Sequence, residues 1–138
     1  MKKPPPVVLV IEDEAAIRTF IRRALEPAYQ VHESSEGADG LNQARWVKPD
    51  IILLDLRMPG LDGLTVLAKL KADPRTARTP VVIVSGRGET DLLMEGQRMG
   101  ALDHIIKPFD IDALRDVIQR QLKLHVNEPP AAADEGVG

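Results

Sequence analysis

From Pro49 to Gly63 the chain reads Pro-Asp-Ile-Ile-Leu-Leu-Asp-Leu-Arg-Met-Pro-Gly-Leu-Asp-Gly, and this stretch limits the possible folds more than any other. Ile51 to Leu54 is a continuous aliphatic run bounded by turn residues, which predicts a strand buried on both faces. At its carboxyl end stands Asp55, where the run would continue with another aliphatic residue. Pro59-Gly60 then supplies the central pair of a tight turn, Pro fixing φ and Gly free to take a positive one. Asp62 is placed to cap the following helix. Open α/β sheets carry their chemistry at the carboxyl ends of buried strands, so Asp55 is the first candidate for a functional residue.

The rest of the chain alternates in the same way. Residues 7–11, 29–33, 81–84 and 102–106 read as further strands, the second of them short and alternating in polarity. Helices are expected after each strand. The first carries Ile17, Phe20, Ile21 and Leu25 at helical spacing and is stopped by Pro27. The next covers residues 38–47. A third runs from 63 to 72 with Leu64, Leu67, Ala68 and Leu70 available for its inner side, and a fourth runs from about 90 to 99 despite Gly96. The last starts after Asp110 and carries Leu114, Val117, Ile118 and Leu122. Five such βα units imply one α/β domain, a parallel sheet with helices on both faces. The aliphatic strands 7–11, 51–54 and 81–84 are expected at its centre and the polar 29–33 at an edge. The domain spans 7–125; residues 1–6 and 126–138, the latter rich in Pro, Ala, Glu and Gly, are expected to be disordered.

Composition narrows the function. A chain of 138 residues is enough for one real core. Its net charge of −3 gives no field for nucleic acid. It has no cysteine, so disulfides and thiol chemistry are excluded. No apolar run nears the ~20 residues that cross a bilayer, and no signal peptide is legible. A cytoplasmic protein without membrane or direct nucleic-acid contact is expected.

Polar residues fall at four strand ends: Glu12 with Asp13, then Asp55, Ser85 and Lys107. In a parallel sheet these ends share one rim. Three carboxylates brought together there repel, unless some are protonated or a divalent cation lies among them. Hard oxygen ligands of this kind suit Mg²⁺ with a phosphate oxygen. Each residue also has a plainer reading. Asp13 and Glu14 favour a helix N-terminus through its dipole, Ser85-Gly86 makes a turn, and Lys107 suits a solvated loop. Asp55 has no such reading, and the coincidence of four strand ends favours function.

The runs Val7-Val8-Leu9-Val10-Ile11-Glu12-Asp13-Glu14, Asp50 to Gly63, Pro80-Val81-Val82-Ile83-Val84-Ser85-Gly86, Gly100-Ala101 and Lys107-Pro108-Phe109 resemble, in this order and spacing, the receiver domain of bacterial two-component response regulators. The resemblance covers about residues 7–124. It implies a flavodoxin-like (βα)₅ fold with strand order 2-1-3-4-5. It also implies that Asp55 is the phosphoacceptor for a sensor histidine kinase or phosphotransfer protein. Asp13, with Glu12 partly through water, would hold Mg²⁺ together with Asp55 and the backbone carbonyl of Arg57. Ser85 would hydrogen-bond the phosphoryl group and Lys107 would be its cationic partner, ahead of a cis Lys107–Pro108 bond. Phosphorylation would switch the conformation seen by a downstream effector, and the face of the last two helices and fifth strand would be a possible dimer surface. Two residues depart from the family pattern: His104 replaces an aromatic residue, and Leu102 replaces an Asp.

Other classes fit less well. Mg²⁺-dependent phosphohydrolases of the haloacid dehalogenase type place a second Asp two residues after the nucleophile, where this chain has Arg57. A flavodoxin-like nucleotide binder needs a phosphate cradle of backbone N–H groups after the first strand, where this chain has Glu12-Asp13-Glu14. Arg18, Arg22 and Arg23 are expected to form a solvated helix face. His104 has two readings of equal weight, an edge-strand residue half in water or part of a switch with Ser85. It is expected opposite Lys107 across the sheet and beneath the helix that contains Gly96.

Overall fold

The computed structural model describes residues 4–126. Its elements alternate as β1 (Val7–Ile11), α1 (Ala15–Leu25), β2 (Gln30–Ser34), α2 (Gly37–Val47), β3 (Ile51–Asp55), α3 (Gly63–Ala72), β4 (Val81–Ser85), α4 (Thr90–Arg98), β5 (Asp103–Ile106) and α5 (Ile111–Val126). The five strands are parallel in the order β2-β1-β3-β4-β5. The aliphatic strands are therefore central and the polar β2 lies at an edge, as their composition implies. Of the segments expected to be disordered, 1–6 and 126–138, residues 1–3 and 127–138 lie outside the described residues, and Val126 is the last residue of α5.

Alternation along each strand makes two cores. Leu9, Ile11, Ile52, Leu54, Val81 and Ile83 face α2, α3 and α4, while Val8, Val10, Ile51, Leu53, Val82 and Val84 face α1 and α5. The inner side of α3 is Val66, Leu67 and Leu70; Ala68 is exposed, a correction to the expected inner set. The helix is turned so that the bulkier Val66 takes the buried place, which removes more apolar surface from water. Phe20 is also less buried than its spacing suggests and meets Phe109 edge-on, ring centroids 5.8 Å apart.

Gly96 lowers helix propensity yet sits inside α4, where an added Cβ would run into Ile83 Cδ1 and force that side chain to move. The helix rides directly on β4 at that point. Gly60 has φ 75° in the turn after β3, and Gly100 has φ 115° just past α4, both as their turn positions require. Asp62 caps α3 by accepting the Thr65 N–H at 2.9 Å, and Asp110 accepts the Ala113 N–H at 2.8 Å at the start of α5.

Candidate functional site

Parallel register brings the carboxyl ends of β1, β3, β4 and β5 to one rim. β1 and β3 are neighbours, so Glu12 and Asp13, just past Ile11, stand beside Asp55. One carboxylate oxygen from each of the three residues lies within 4.8 Å of the others. Glu12 is 2% exposed and Asp55 3%, while Asp13 is more open to water. Lys107 extends from beyond β5 across β4 into the cluster. Its Nζ lies 3.1 Å from Glu12 Oε1, 3.7 Å from Asp55 Oδ1 and 3.7 Å from Glu14 Oε1. The Lys107–Pro108 bond is cis.

The two buried acids are each held by backbone. Glu12 Oε2 accepts the Glu14 N–H at 3.1 Å, and Asp55 Oδ1 accepts the Arg57 N–H at 3.2 Å. Glu12 Oε1 has the lysine as an ion pair but no well-directed donor among the described residues. Ser85 Oγ, buried at the end of β4, has no hydrogen-bond partner there either.

The charges do not balance. Burial, then the neighbouring Glu12 charge, pushes the Asp55 carboxyl up to about 7. Burial likewise raises Glu12. Burial works against the Lys107 ammonium, but Asp55, Glu12 and Glu14 outweigh it and raise its pKa. One ammonium thus faces a cluster of acids that a further cation would relieve. Three convergent carboxylate oxygens, one of them open to water, form a hard-ligand set suited to Mg²⁺.

Arg18 was expected in a solvated face, and the structure corrects this. Its side chain is 17% exposed, and its guanidinium donates to the Glu12 carbonyl at 2.7 Å, the Asp13 carbonyl at 3.1 Å and Glu33 Oε1 at 3.2 Å. Arg22 binds Glu33, Glu26 and the Val31 carbonyl. The cause is Glu33 on β2, whose carboxylate draws both arginines onto the sheet edge. Arg18 thereby fixes the backbone that presents Glu12 and Asp13. Periodicity places Arg18 on the outer half of α1 and has no means of pairing it with a strand 15 residues away.

His104 lies on β5, half-buried, with Nδ1 3.4 Å from Gln97 Nε2 of α4. It is on the α4 side of the sheet, away from the rim cluster.

The description "Response regulator receiver domain" matches residues 8–119. The chain belongs to the response regulator receiver family. This receiver is 34% identical over 121 residues to sporulation initiation phosphotransferase F of Bacillus subtilis, covering 87% of this chain and 96% of that protein. It is 35% identical over 128 residues to the DNA-binding dual master transcriptional regulator RpaA of Synechocystis, covering 92% of this chain but 53% of that one. Among solved structures it is similar to the receiver domain of the sensor histidine kinase PA1611 from Pseudomonas aeruginosa, which has a magnesium ion coordinated in its active-site cleft. That similarity has a TM-score of 0.78 at 25% identity, over 86% of this chain and 98% of the other. In this receiver, Glu12, Asp13 and Asp55 form the acidic Mg²⁺-coordinating triad of the family. A receiver is a phosphoacceptor and signal-relay module, not a turnover enzyme. No helix among the described residues is long and apolar enough to cross a membrane.

Proposed function

We propose that Asp55 takes a phosphoryl group from a phosphohistidine on a sensor kinase or phosphotransfer protein. An Asp55 carboxylate oxygen attacks phosphorus as the P–N bond to the imidazole breaks, and the bond electrons stay with the imidazole. The single observation that carries this is the meeting of three carboxylates and Lys107 at one rim. Mg²⁺, when bound by Glu12, Asp13, Asp55 and the Arg57 carbonyl, supplies neutralisation of the transferring oxygens. Lys107 then exchanges its carboxylate contacts for a phosphoryl oxygen. Ser85, whose hydroxyl has no hydrogen-bond partner among the described residues, gains one by turning toward the same group. An apolar cleft of about 410 Å³ beside Lys107, lined by Ile17, Phe20 and Phe109, is where the donor protein would dock. The face of α4, β5 and α5, with Leu102 51% exposed and Ile106 36%, would meet the downstream effector or a second copy.

The test is incubation with a small phosphodonor, with and without Mg²⁺, and mapping of the label by mass spectrometry. Labelling at Asp55 that requires Mg²⁺ and vanishes in Asp55→Asn is expected. Stable label in that variant, or indifference to Mg²⁺, refutes the reading.

A further inference from the structure

Glu89 is the residue from which α4 starts, yet its side chain makes no capping hydrogen bond to the helix. It folds back instead. Its Oε1 accepts the Gly86 N–H at 2.9 Å, and its Oε2 pairs with Arg57 Nε at 2.6 Å, the carboxylate side chain being only 13% exposed. Gly88, at φ 87°, shapes the return.

The direction of the Gly86 N–H gives this contact a meaning. The Lys107 N–H donates to the Ser85 carbonyl at 2.7 Å, so that carbonyl faces β5. Across the trans peptide the Gly86 N–H points the opposite way, toward the end of β3. Asp55 ends β3, and Arg57 lies two residues beyond it. The Glu89 carboxylate therefore occupies two donors on the side of β3 that adjoins β4, while Lys107 Nζ lies 3.7 Å from Asp55 Oδ1 and an oxygen each of Glu12 and Asp13 lies within 4.8 Å of Asp55.

We propose that Glu89 is an internal stand-in for the phosphoryl anion, holding the Gly86 N–H and the Arg57 guanidinium until phosphorylation displaces it. The inference rests on Asp55 being the phosphoacceptor. A dianionic group on Asp55 repels a carboxylate held on its flank and competes for the Gly86 donor. Once the Glu89 side chain leaves, Gly86 and the neighbouring Ser85 hydroxyl are free to turn toward the phosphoryl oxygens. The Glu89 carbonyl accepts the Leu93 N–H at 3.0 Å in the first turn of α4, so release of the side chain loosens the start of that helix. One exchange of anions thus links the rim to α4.

The test titrates beryllofluoride, with Mg²⁺, into wild type, Glu89→Ala and Glu89→Gln, followed by NMR of the Gly86 amide. Glu89→Gln keeps an acceptor for that amide and loses only the charge, so it guards against an effect of misfolding. Affinity is expected to rise on the order of fivefold in Glu89→Ala, which removes both a like charge and the competing acceptor of the Gly86 amide, and less in Glu89→Gln, which removes the charge alone. In wild type the Gly86 amide should shift at saturation as its acceptor changes. Wild-type or weaker affinity in both variants, or an unmoved Gly86 amide in saturated wild type, overturns the proposal. Failure of wild type itself to bind beryllofluoride refutes the reading of Asp55 instead.

Discussion

A buried carboxylate that resists ionisation leaves a mark on stability at the scale of the single residue. With its pKa pushed up to about 7, Asp55 binds its proton more tightly in the metal-free fold than in the unfolded chain. The folded state therefore carries the extra proton between roughly pH 4 and pH 7, and stability falls as pH rises through that window. Asp55→Asn removes the charge and keeps the shape. It should stabilise the metal-free protein by on the order of 2 kcal/mol at pH 8, and the difference should close near pH 4. Mg²⁺ should raise the melting temperature of wild type at pH 8 and have much less effect on the variant. Thermal unfolding at both pH values, with and without Mg²⁺, measures all of this; equal stability of the two proteins at pH 8 would mean that Asp55 is not strained by its neighbours. Asp55 was legible in the sequence because a charge interrupts an aliphatic run. Arg18 and Glu89 were not, because each acts through a partner that folding alone brings near: Glu33 for Arg18, Arg57 and Gly86 for Glu89.

At the scale of elements, two glycines show that close packing, more than helix propensity, decides which residue a helix position accepts. Gly63 opens α3 where a Cβ would lie 2.4 Å from the Asp55 carbonyl oxygen and 2.5 Å from Leu56 Cα. Gly96 meets the Cδ1 end of Ile83, at 2.3 Å. Backbone at the end of β3 cannot give way, whereas an isoleucine tip can rotate. Gly96→Ala also gains up to about 1 kcal/mol of helix propensity against an overpacking penalty of roughly 1–3 kcal/mol. A net loss of about 1 kcal/mol is expected for Gly96→Ala, and a larger one for Gly63→Ala, which also displaces Asp55 and slows its labelling. Urea unfolding of both variants checks the order; if Gly96→Ala proves the more damaging, α4 is the more rigid seat. The strands themselves were readable within about a residue because each aliphatic run must bury both faces, and their central or edge place followed from polarity. The strand order came from the resemblance, since periodicity says which strands are buried and not which are neighbours.

At the scale of the whole molecule, a charge event at the rim has to reach a surface where another protein can sense it. α4 is the element that touches both. It starts at Glu89, whose carboxylate pairs with Arg57 two residues past Asp55, rests on Ile83 of β4 through Gly96, and meets His104 of β5 through Gln97, 3.4 Å from the ring. His104 pairs in register with Ile83, so the ring and the helix seat share one side of the sheet. Beside it, Leu102 and Ile106 open to solvent, and the Asp103 carboxylate across the sheet is bound by Arg120 at 2.7 Å. Burial works against the charged form of Asp103, but the hydrogen bonds from Arg120, the His104 N–H and Gln121 prevail and hold its carboxyl below the usual range. Asp103 thus anchors β5 to α5 through contacts that do not involve α4. Loosening α4 should alter the surroundings of His104 and of the neighbouring methyl groups in one step, as expected for a packing element with two arrangements. Beryllofluoride titration followed by NMR should therefore move the His104 ring resonances and the methyls of Leu102 and Ile106 with the same midpoint as the Gly86 amide. If Gly86 responds while the ring and both methyls stay fixed, the signal ends at α4 and His104 is an edge-strand residue without a part in the switch.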